Sequence, residues 1–291
     1  MTIISGDTIL LGVIGNPISH SFSPLMHNAV LEDQNLNYVY VPLLIDSDHA
    51  LGAFLTMLRG SNFAGVNVTV PYKEKVIPFL DQLDESASSV GAVNTIIHQE
   101  GQLIGYNTDG DGFLLSVKHD LGYDVTGKKV VVCGAGGSAK SIAVALLKSG
   151  ITQLVILNRT LSRSQELVAQ LELLGFDTPV LTYDYQNGLT DHLVTVMADA
   201  NFVVNTTSLG MTPHVDTAFF DQYTWVNSGH VCYDIVYNPV ETRFVKEVSS
   251  LGAVSCTGLG MLIGQGCLAF TLFTGNEIGF EIMKKRIEKE I

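Results

Sequence analysis

The sequence predicts an α/β protein with two α/β domains. Short runs rich in β-branched residues alternate with helical runs on both sides of residue 110, which is typical of alternating strands and helices. The second series begins with a strand, a glycine-rich turn and a helix, the order that opens a doubly wound parallel sheet. A chain of 291 residues can supply a separate hydrophobic core to each domain. We therefore expect a first domain over residues 1–109 and a second over residues 110–260.

The first domain is predicted to begin with three strands and two helices. The strands are expected at Leu10–Gly15, Tyr38–Leu44 and Ala64–Val70, and the helices after Pro24 and through Leu51–Leu58. Ser23 is the expected N-cap of the first helix, because a serine there accepts a hydrogen bond from a free backbone N–H. Ala92–Ile97 and Leu103–Tyr106 follow and flank the segment Gln99-Glu100-Gly101. That spacing predicts a hairpin.

The second domain is predicted from the periodicity that starts at Lys128. Its strands are expected at Val130–Cys133, Leu154–Leu157 and Phe202–Asn205, with helices running to Ser149 and over about Ser162–Leu174. Residues 261–291 have a helical pattern, and we expect them to return to the first domain. Such a return requires two chain crossings and would leave a cleft between the domains.

Composition excludes several classes of function. The formal net charge of −13 repels a phosphate backbone, so nucleic acid is not expected as a partner. The apolar runs fall far short of the roughly 20 residues that a membrane-spanning helix needs, and we expect a cytoplasmic chain without a membrane partner. The cysteines are far apart and have no histidine at ligand spacing, which predicts buried reduced thiols and no metal site. They are Cys133, Cys232, Cys256 and Cys267.

A glycine-rich turn follows the first strand of the second domain. The sequence after Cys133 reads Gly134-Ala135-Gly136-Gly137-Ser138-Ala139-Lys140, and apolar residues recur at helical spacing from Ile142 onward. Glycines in this position let the chain turn tightly and let backbone N–H groups approach a pyrophosphate at the helix N-terminus. The turn therefore predicts a dinucleotide site. The alternative is a tight strand-to-helix turn without a ligand.

The end of the next strand distinguishes between two dinucleotides. Asn158, Arg159 and Thr160 stand where a fold selective for NAD carries an acid that binds the ribose 2′-hydroxyl. That acid is missing, and Arg159 with Arg163 offers donors that match a 2′-phosphate. NADP is predicted in preference to NAD, with NAD as the alternative cofactor. The alternative is that both arginines are solvated at the start of a helix and bind no ligand.

Polar residues also gather near the first and third strands. Ser21 and Ser23 lead into a helix whose positive end suits a small carboxylate, although N-capping alone also accounts for Ser23. Asn67 and Thr69 share the polar face of the third strand, and Lys73 follows in the next turn. A lysine at that position can act on a substrate or can simply be solvated.

Two further segments place amides, hydroxyls and a carboxylate at the ends of strands. They are Gly91-Ala92-Val93-Asn94-Thr95 and Gly105-Tyr106-Asn107-Thr108-Asp109-Gly110. Asp109-Gly110 alone is typical of a turn. The concentration of small polar groups nevertheless favours a site that binds a polyol.

These segments together resemble the shikimate dehydrogenase family over nearly the full chain. The resemblance rests on ordered blocks in both predicted domains. The blocks are Ser21-Phe22-Ser23-Pro24 with His27-Asn28, Asn67-Val68-Thr69-Val70-Pro71-Tyr72-Lys73, Gly91-Ala92-Val93-Asn94-Thr95, Asn107-Thr108-Asp109-Gly110, Gly134-Ala135-Gly136-Gly137, Asn158-Arg159-Thr160, Asn205-Thr206-Thr207-Ser208-Leu209-Gly210-Met211, Asp234-Ile235-Val236-Tyr237-Asn238-Pro239 and Gly258-Leu259-Gly260-Met261-Leu262-Ile263-Gly264-Gln265-Gly266.

The resemblance implies an N-terminal substrate domain, joined by the C-terminal helices, and a Rossmann-type domain that binds NADP. It implies reversible reduction of 3-dehydroshikimate to shikimate on the route to aromatic amino acids, with Lys73 and Asp109 as catalytic residues. The implied substrate contacts are Ser21, Ser23, Thr69, Asn94, Tyr237 and Gln265. The implied cofactor contacts are Gly134, Ala135, Gly136, Gly137, Ser138, Ala139, Asn158, Arg159, Thr160, Arg163, Ile235 and Gly258.

The same resemblance implies a mechanism and leaves alternatives open. During reduction the Lys73 ammonium would donate a proton to the substrate oxygen, and a nearby Asp109 would stabilise the lysine charge. The stretch from Arg159 to Phe202 is longer than in compact members and approaches the quinate/shikimate branch, which often uses NAD. That branch is one alternative, and a non-catalytic dinucleotide-binding sensor is another. The chain is expected to be a monomer or a homodimer.

Overall fold

The computed structural model describes residues 4–186 and 188–288. The chain divides into two compact units, Met1–Gly112 with Ile263–Ile291, and Phe113–Leu262. Among the described helices, none combines the length and the apolar character that crossing a membrane requires.

Within the described residues, the first unit is built on a mixed six-stranded sheet. Its elements are β1 (Ile9–Gly15), α1 (Ser23–Asp33), β2 (Tyr38–Leu44), α2 (Asp48–Leu58), β3 (Phe63–Val68), a 3₁₀ turn (Ile77–Phe79), β4 (Gln82–Leu83), α3 (Glu85–Val90), β5 (Thr95–Gln99) and β6 (Gln102–Tyr106). The strand order is β2-β1-β3-β5-β6-β4, with β5 antiparallel to β3 and β6 and the other pairs parallel. The predicted hairpin is confirmed, and its loop residues Glu100 and Gly101 both have positive φ.

Apolar residues at helical spacing bury α2 in the core of the first unit. Leu51, Leu55 and Leu58 are each at most 1% exposed, and they join a cluster that contains Val66 and Val68 of β3. Burying one such side chain stabilises the fold by about 1.5–3 kcal/mol. The cluster therefore holds β3 firmly, and with it the start of the turn that follows.

The second unit is a doubly wound parallel sheet. The chain continues through α4 (Asp109–Leu121), β7 (Lys129–Cys133), α5 (Gly137–Lys148), β8 (Gln153–Asn158), α6 (Leu161–Glu172), β9 (Val180–Asp184), α7 (Asp191–Ala198), β10 (Phe202–Asn205), β11 (Val231–Asp234), α8 (Arg243–Ser250), β12 (Val254–Thr257) and α9 (Leu259–Thr274). Its described strands are parallel in the order β12-β11-β10-β7-β8-β9. The winding reverses between β7 and β10, and sheets of this kind bind ligands at the carboxyl ends of the strands beside that point.

The C-terminal helices complete the core of the first unit. From Ile263 onward α9 belongs to that unit, and α10 (Phe280–Ile287) follows it. Phe270 of α9 and Met283 of α10 are fully buried, and Arg286 pairs with Asp33 at the end of α1. The first unit is therefore made from both ends of the chain.

The α/β fold class is confirmed, but the predicted end of β3 is wrong. β3 ends at Val68 rather than Val70, because the Tyr72 N–H bonds the Thr69 carbonyl at 3.0 Å and closes a turn. Val70 lies in this turn and is 65% exposed. The polar face predicted for this strand therefore stops at Asn67, and Thr69 belongs to the turn.

Two predictions about polar residues near element ends are also wrong. Ser23 is not an N-cap: it is the first residue of α1, Phe22 occupies the cap position, and the Ser23 hydroxyl hydrogen-bonds Tyr40. Asp109-Gly110 is not a simple turn, because it opens α4.

The start of β5 and the environment of one cysteine differ from expectation. β5 starts at Thr95 rather than Ala92, because the Val93 N–H bonds the carbonyl of Lys73 in the turn after β3. Three cysteines are buried free thiols as predicted, whereas Cys256 is free but only partly buried. Burial raises the pKa of the Cys232 thiol to about 12.

Candidate active site

The turn after β3 presents Lys73 to a carboxylate. Lys73 Nζ donates to Asp109 Oδ2 at 2.5 Å, and the two side chains are 27% and 10% exposed. The Lys73 carbonyl accepts from the Val93 N–H at 2.8 Å, which ties the turn to the segment before β5. Hydrogen bonds between charged groups are stronger than neutral ones. The lysine is therefore held in a defined position.

Asp109 is fixed by its place at the start of α4. The free N–H groups of a helix N-terminus favour a carboxylate in the first turn. Asp109 Oδ1 accepts from Asn94 Nδ2 at 2.9 Å, and its backbone N–H donates to Asn107 Oδ1 at 3.1 Å. One carboxylate oxygen therefore faces Lys73 while the other is anchored to the protein.

Asn94 is oriented by its neighbours. Its side chain is buried, and Oδ1 accepts from the Thr108 N–H and from the Thr95 hydroxyl, both at 2.9 Å. Because a backbone N–H can only donate and an ionised carboxylate can only accept, the amide oxygen faces Thr108 and Nδ2 faces Asp109. The amide thus presents its donor side to the carboxylate.

A buried chain of polar groups that the sequence did not assign to the site connects this cluster to α1. Asn67 Nδ2 donates to the Asn94 carbonyl at 3.1 Å, and Tyr40 donates through its hydroxyl to Asn67 Oδ1 at 2.7 Å. Ser23 hydrogen-bonds the same tyrosine, and burial raises the pKa of Tyr40 well above its ordinary value. The structure therefore brings Lys73, Asn94 and Asp109 together and links Ser23 to them. Asn67 stands in a recognisable motif, but Tyr40 has no sequence signal.

Ser21 and Thr69 lie in the segments that flank this chain of contacts. The Ser21 hydroxyl accepts from the Ser23 N–H at 3.3 Å. A Cβ on Gly15 would come within 2.4 Å of the Thr69 methyl group. Glycine is therefore required at the end of β1 for the turn that carries Thr69.

Gln265 is held where α4 meets α9. Its carbonyl accepts from the Thr108 hydroxyl at 3.2 Å. A Cβ on Gly112 would lie 2.3 Å from the Gln265 nitrogen, and one on Gly264 would lie 2.3 Å from the Gly112 carbonyl oxygen. The two glycines let the helix backbones approach closely, which places Gln265 beside Thr108.

The glycine-rich turn after β7 has the shape that a pyrophosphate needs. Gly134 has a φ of 118°, and a Cβ there would lie 2.4 Å from the Thr206 hydroxyl. Gly136 and Gly137, in contrast, face space free of atoms within 4 Å of an added Cβ. α5 begins at Gly137 without a side-chain cap, so its first N–H groups remain available to an anion. This arrangement fits a dinucleotide.

The end of β8 fits an additional phosphate. Asn158 donates to the Thr160 carbonyl at 2.8 Å, which shapes the loop into α6. Arg159 and Arg163 are exposed at the start of that helix. Guanidinium groups bind phosphate through paired donors, whereas an acid at this point would repel it. The donor set therefore suits a 2′-phosphate.

Tyr237, Ile235 and Gly258 lie around the ends of β11 and β12 in the second unit. Burial raises the pKa of the Tyr237 hydroxyl. A Cβ on Gly258 would lie 1.9 Å from the Ile235 carbonyl oxygen, so only glycine fits there. Among the described residues, no group of three or more histidine, cysteine, aspartate or glutamate side chains could hold a metal ion.

Three family models match the sequence. They are the shikimate dehydrogenase substrate-binding domain over residues 13–96, the shikimate/quinate 5-dehydrogenase domain over residues 116–212, and the shikimate 5′-dehydrogenase C-terminal domain over residues 258–288. Together they account for most of the chain.

Individual relatives match over nearly their full length. A shikimate dehydrogenase (NADP(+)) of Carboxydothermus hydrogenoformans is 44% identical over 98% of each chain. The shikimate 5-dehydrogenase of Thermus thermophilus, solved with NADP(H) and shikimate, is 31% identical with a TM-score of 0.85, covering 97% of this chain and 100% of that one. The quinate dehydrogenase of Corynebacterium glutamicum, solved with NAD, is 33% identical with a TM-score of 0.87, covering 97% and 99%. The chain belongs to the shikimate dehydrogenase family.

Proposed function

We propose that this chain catalyses the reversible reduction of 3-dehydroshikimate to shikimate with NADPH, a step on the route to aromatic amino acids. The observation that carries the proposal is the hydrogen-bonded cluster of Lys73, Asn94 and Asp109 in a chain of this family. The names of the curated relatives, which are 36–44% identical, support both the substrate and the cofactor.

The substrate is a ring that carries one carboxylate and several hydroxyls. The substrate carboxylate is assigned to the hydroxyls of Ser21, Ser23 and Tyr237, because uncharged hydroxyl groups can donate hydrogen bonds to an anion. Lys73, Asn94 and Asp109 are assigned to the ring hydroxyls. The remaining proposed contacts are Thr69 and Gln265.

Lys73 is the proposed acid and base. In the direction of reduction the substrate oxygen gains negative charge, and an ammonium group held by Asp109 can stabilise that charge and donate a proton. In the direction of oxidation the lysine must be neutral to accept the proton.

The proposed cofactor site uses the glycine-rich turn and the arginines of the second unit. The nicotinamide of bound NADP supplies or accepts the hydride. Backbone N–H groups from Gly134 to Ala139 would hold the pyrophosphate, and Arg159 with Arg163 would hold the 2′-phosphate. The other proposed contacts are Asn158, Thr160, Ile235 and Gly258.

Initial rates test the proposal directly. Purified protein is given shikimate or quinate with NADP or NAD in all four combinations, and nicotinamide absorbance is followed. Strong activity with shikimate and NADP alone is the expected result. Quinate turnover or a preference for NAD would move the chain to the quinate/shikimate branch, and no turnover in any combination would support a non-catalytic sensor.

A further inference from the structure

Two loops follow β10 and β11, and a buried carboxylate lies between them. Residues 206–210 form the β10 loop and residues 235–237 the β11 loop. Asp234, the last residue of β11, is 0% exposed, as are its side-chain partners Asn205 and Thr242. A buried charge is costly unless hydrogen bonds compensate it. The partners of Asp234 therefore show what its carboxylate stabilises.

One carboxylate oxygen serves both loops. Asp234 Oδ1 accepts from Asn205 Nδ2 at 2.9 Å and from the Val236 N–H at 3.0 Å. Asn205 Oδ1 in turn accepts from the N–H and the hydroxyl of Thr207, at 3.0 and 2.7 Å. The Thr207 hydroxyl then accepts from the Leu209 N–H at 3.2 Å. A single acceptor thus fixes the β11 loop directly and the β10 loop through Asn205.

The β11 loop carries residues that the proposed function uses. It contains Ile235 and Tyr237, and the Val236 carbonyl accepts from the Gly258 N–H at 3.1 Å. The Ile235 N–H donates to the Asn205 carbonyl at 3.0 Å, which binds this loop to the end of β10. A shift of the β11 loop would therefore move Tyr237, Ile235 and Gly258 together.

The other carboxylate oxygen serves a helix. Asp234 Oδ2 accepts from the Thr242 hydroxyl at 2.6 Å, and that hydroxyl accepts from the Val245 N–H in the first turn of α8. Among the described residues, the three partners of Asp234 all donate to it, and an ionised carboxylate can accept from every one. An amide in its place would keep one acceptor for the two loops and would donate to the Thr242 hydroxyl, which can accept, so both loops would stay held. Asp234→Ala instead removes the acceptor for the loops and for the helix.

We propose that Asp234 is a positioning residue for the reaction: through Asn205 and Val236 it holds the β10 and β11 loops in the arrangement that binds substrate and cofactor. This inference rests on the proposed function and deepens it. Preformed loops bind a ligand more tightly because less freedom is lost on binding. Asp234 acts on the ligands only through Tyr237 and its neighbours.

The test compares Asp234→Ala with His230→Leu. His230 immediately precedes β11, is 2% exposed, and also makes buried hydrogen bonds, to Asn227 and Met197. Asp234→Ala is expected to raise KM for shikimate and for NADP by roughly tenfold, the effect of losing about one net hydrogen bond. His230→Leu is expected to lower Tm without changing either KM. KM does not depend on the fraction of molecules that fold, so lower stability alone cannot produce the rise.

A second variant keeps the test decisive when Asp234→Ala folds poorly. Thr206 of the β10 loop lies against Gly134 of the glycine-rich turn. Asn205→Ala cuts the link to that loop and should therefore raise KM for NADP in the same direction. In the double variant, the increase in KM for NADP should be well below the product of the two single increases, because the two side chains act through one hydrogen bond. KM values within twofold of the wild type in a folded Asp234→Ala or Asn205→Ala protein would overturn the inference. Absence of wild-type turnover would instead refute the proposed function.

Discussion

At the scale of single residues, Lys73 carries the proposed proton transfer. Its partner Asp109 is anchored by Asn94, so the ammonium position is set before substrate binds. Lys73→Ala is expected to lower kcat by about 10²–10⁴-fold, the usual contribution of a positioned acid or base. KM for shikimate should change less, because the interaction grows toward the transition state. Steady-state kinetics in both directions give both constants.

Lys75 provides a matched control for that variant. It lies two residues further along the chain, its side chain is 48% exposed, and it pairs with Asp48. Lys75→Ala removes the same charge near the same turn and should leave kcat unchanged. A Lys73→Ala variant that loses affinity but keeps its turnover would show that Lys73 only binds the substrate.

His27 is a fully buried histidine that lies against aromatic rings. Its ring stacks on Tyr40 at a centroid distance of 4.4 Å, and neither ring nitrogen has a hydrogen-bond partner among the described residues. Burial lowers the pKa of His27 from 6.5 to about 3. The native protein therefore excludes a proton that the unfolded chain accepts.

This histidine predicts a loss of stability in mild acid. Above about pH 6.5 the ring is neutral in the folded and the unfolded state, and its full contribution to the free energy of unfolding is present. As the pH falls from 6.5 toward 3, the unfolded chain gains a proton that the folded protein excludes, so the free energy of unfolding decreases. The loss from this group between pH 7 and pH 5 is about 2 kcal/mol. His27→Phe should remove this loss. Urea unfolding at pH 7 and pH 5 should therefore show that the free energy of unfolding of the variant, relative to the wild type, is higher at pH 5 by that amount. A constant difference would contradict the assignment.

At the scale of elements, the start of α6 is expected to select the cofactor. Arg159→Ala should raise KM for NADP by about 10–100-fold, since a hydrogen bond to a charged group contributes about 1.5–3 kcal/mol. KM for NAD should stay the same, because NAD lacks the 2′-phosphate. Kinetics with each cofactor measure both values.

Lys129→Ala is the control for the loss of a positive charge from the same unit. Lys129 opens β7, at the end of the strand away from the glycine-rich turn, and pairs with Asp199. Lys129→Ala should leave KM for NADP and KM for NAD unchanged. An equal loss of affinity for NADP and NAD in Arg159→Ala would mean that Arg159 contacts a group that both cofactors share.

Elements with a strong period and a clear boundary could be predicted from the sequence. Tyr38–Leu44 and Phe202–Asn205 were predicted with the bounds that the structure has. Short elements such as β4 (Gln82–Leu83) and α8 (Arg243–Ser250) were missed, because their two and eight residues give little periodicity. The end of β3 was wrong because a turn bond at Thr69, rather than local propensity, ends the strand.

The residues of the candidate site also divide into those that the sequence could predict and those that it could not. Lys73, Asn94 and Asp109 stand in recognisable motifs, so the sequence could name them, and their mutual hydrogen bonds agree with a shared site. Tyr40 could not be named, because its contact with Asn67 joins residues 27 apart in sequence and depends on how β2 and β3 lie in the sheet. Contacts of this kind are set by tertiary structure.

At the scale of the whole molecule, the second unit is one continuous segment, whereas the first requires both chain ends. Bringing distant segments together costs loop-closure entropy, and folds with many distant contacts form slowly. During refolding, the amide hydrogens of β7, β8 and β10 should therefore become protected before those of α1 and α10. Pulse-labelling hydrogen exchange with mass spectrometry can measure the order. Earlier protection of α1 and α10 would show that the first unit forms without waiting for the second.

The same division has a consequence for synthesis on the ribosome. The N-terminal residues emerge first, yet the core of their unit stays open until Phe270 and Met283 have been translated. Met26 lies against Gly266 of α9, so this contact cannot form until most of the polypeptide has been made. A stop codon that removes only α10 would therefore damage the earliest-made part of the protein, whose apolar surface stays exposed for most of the translation time.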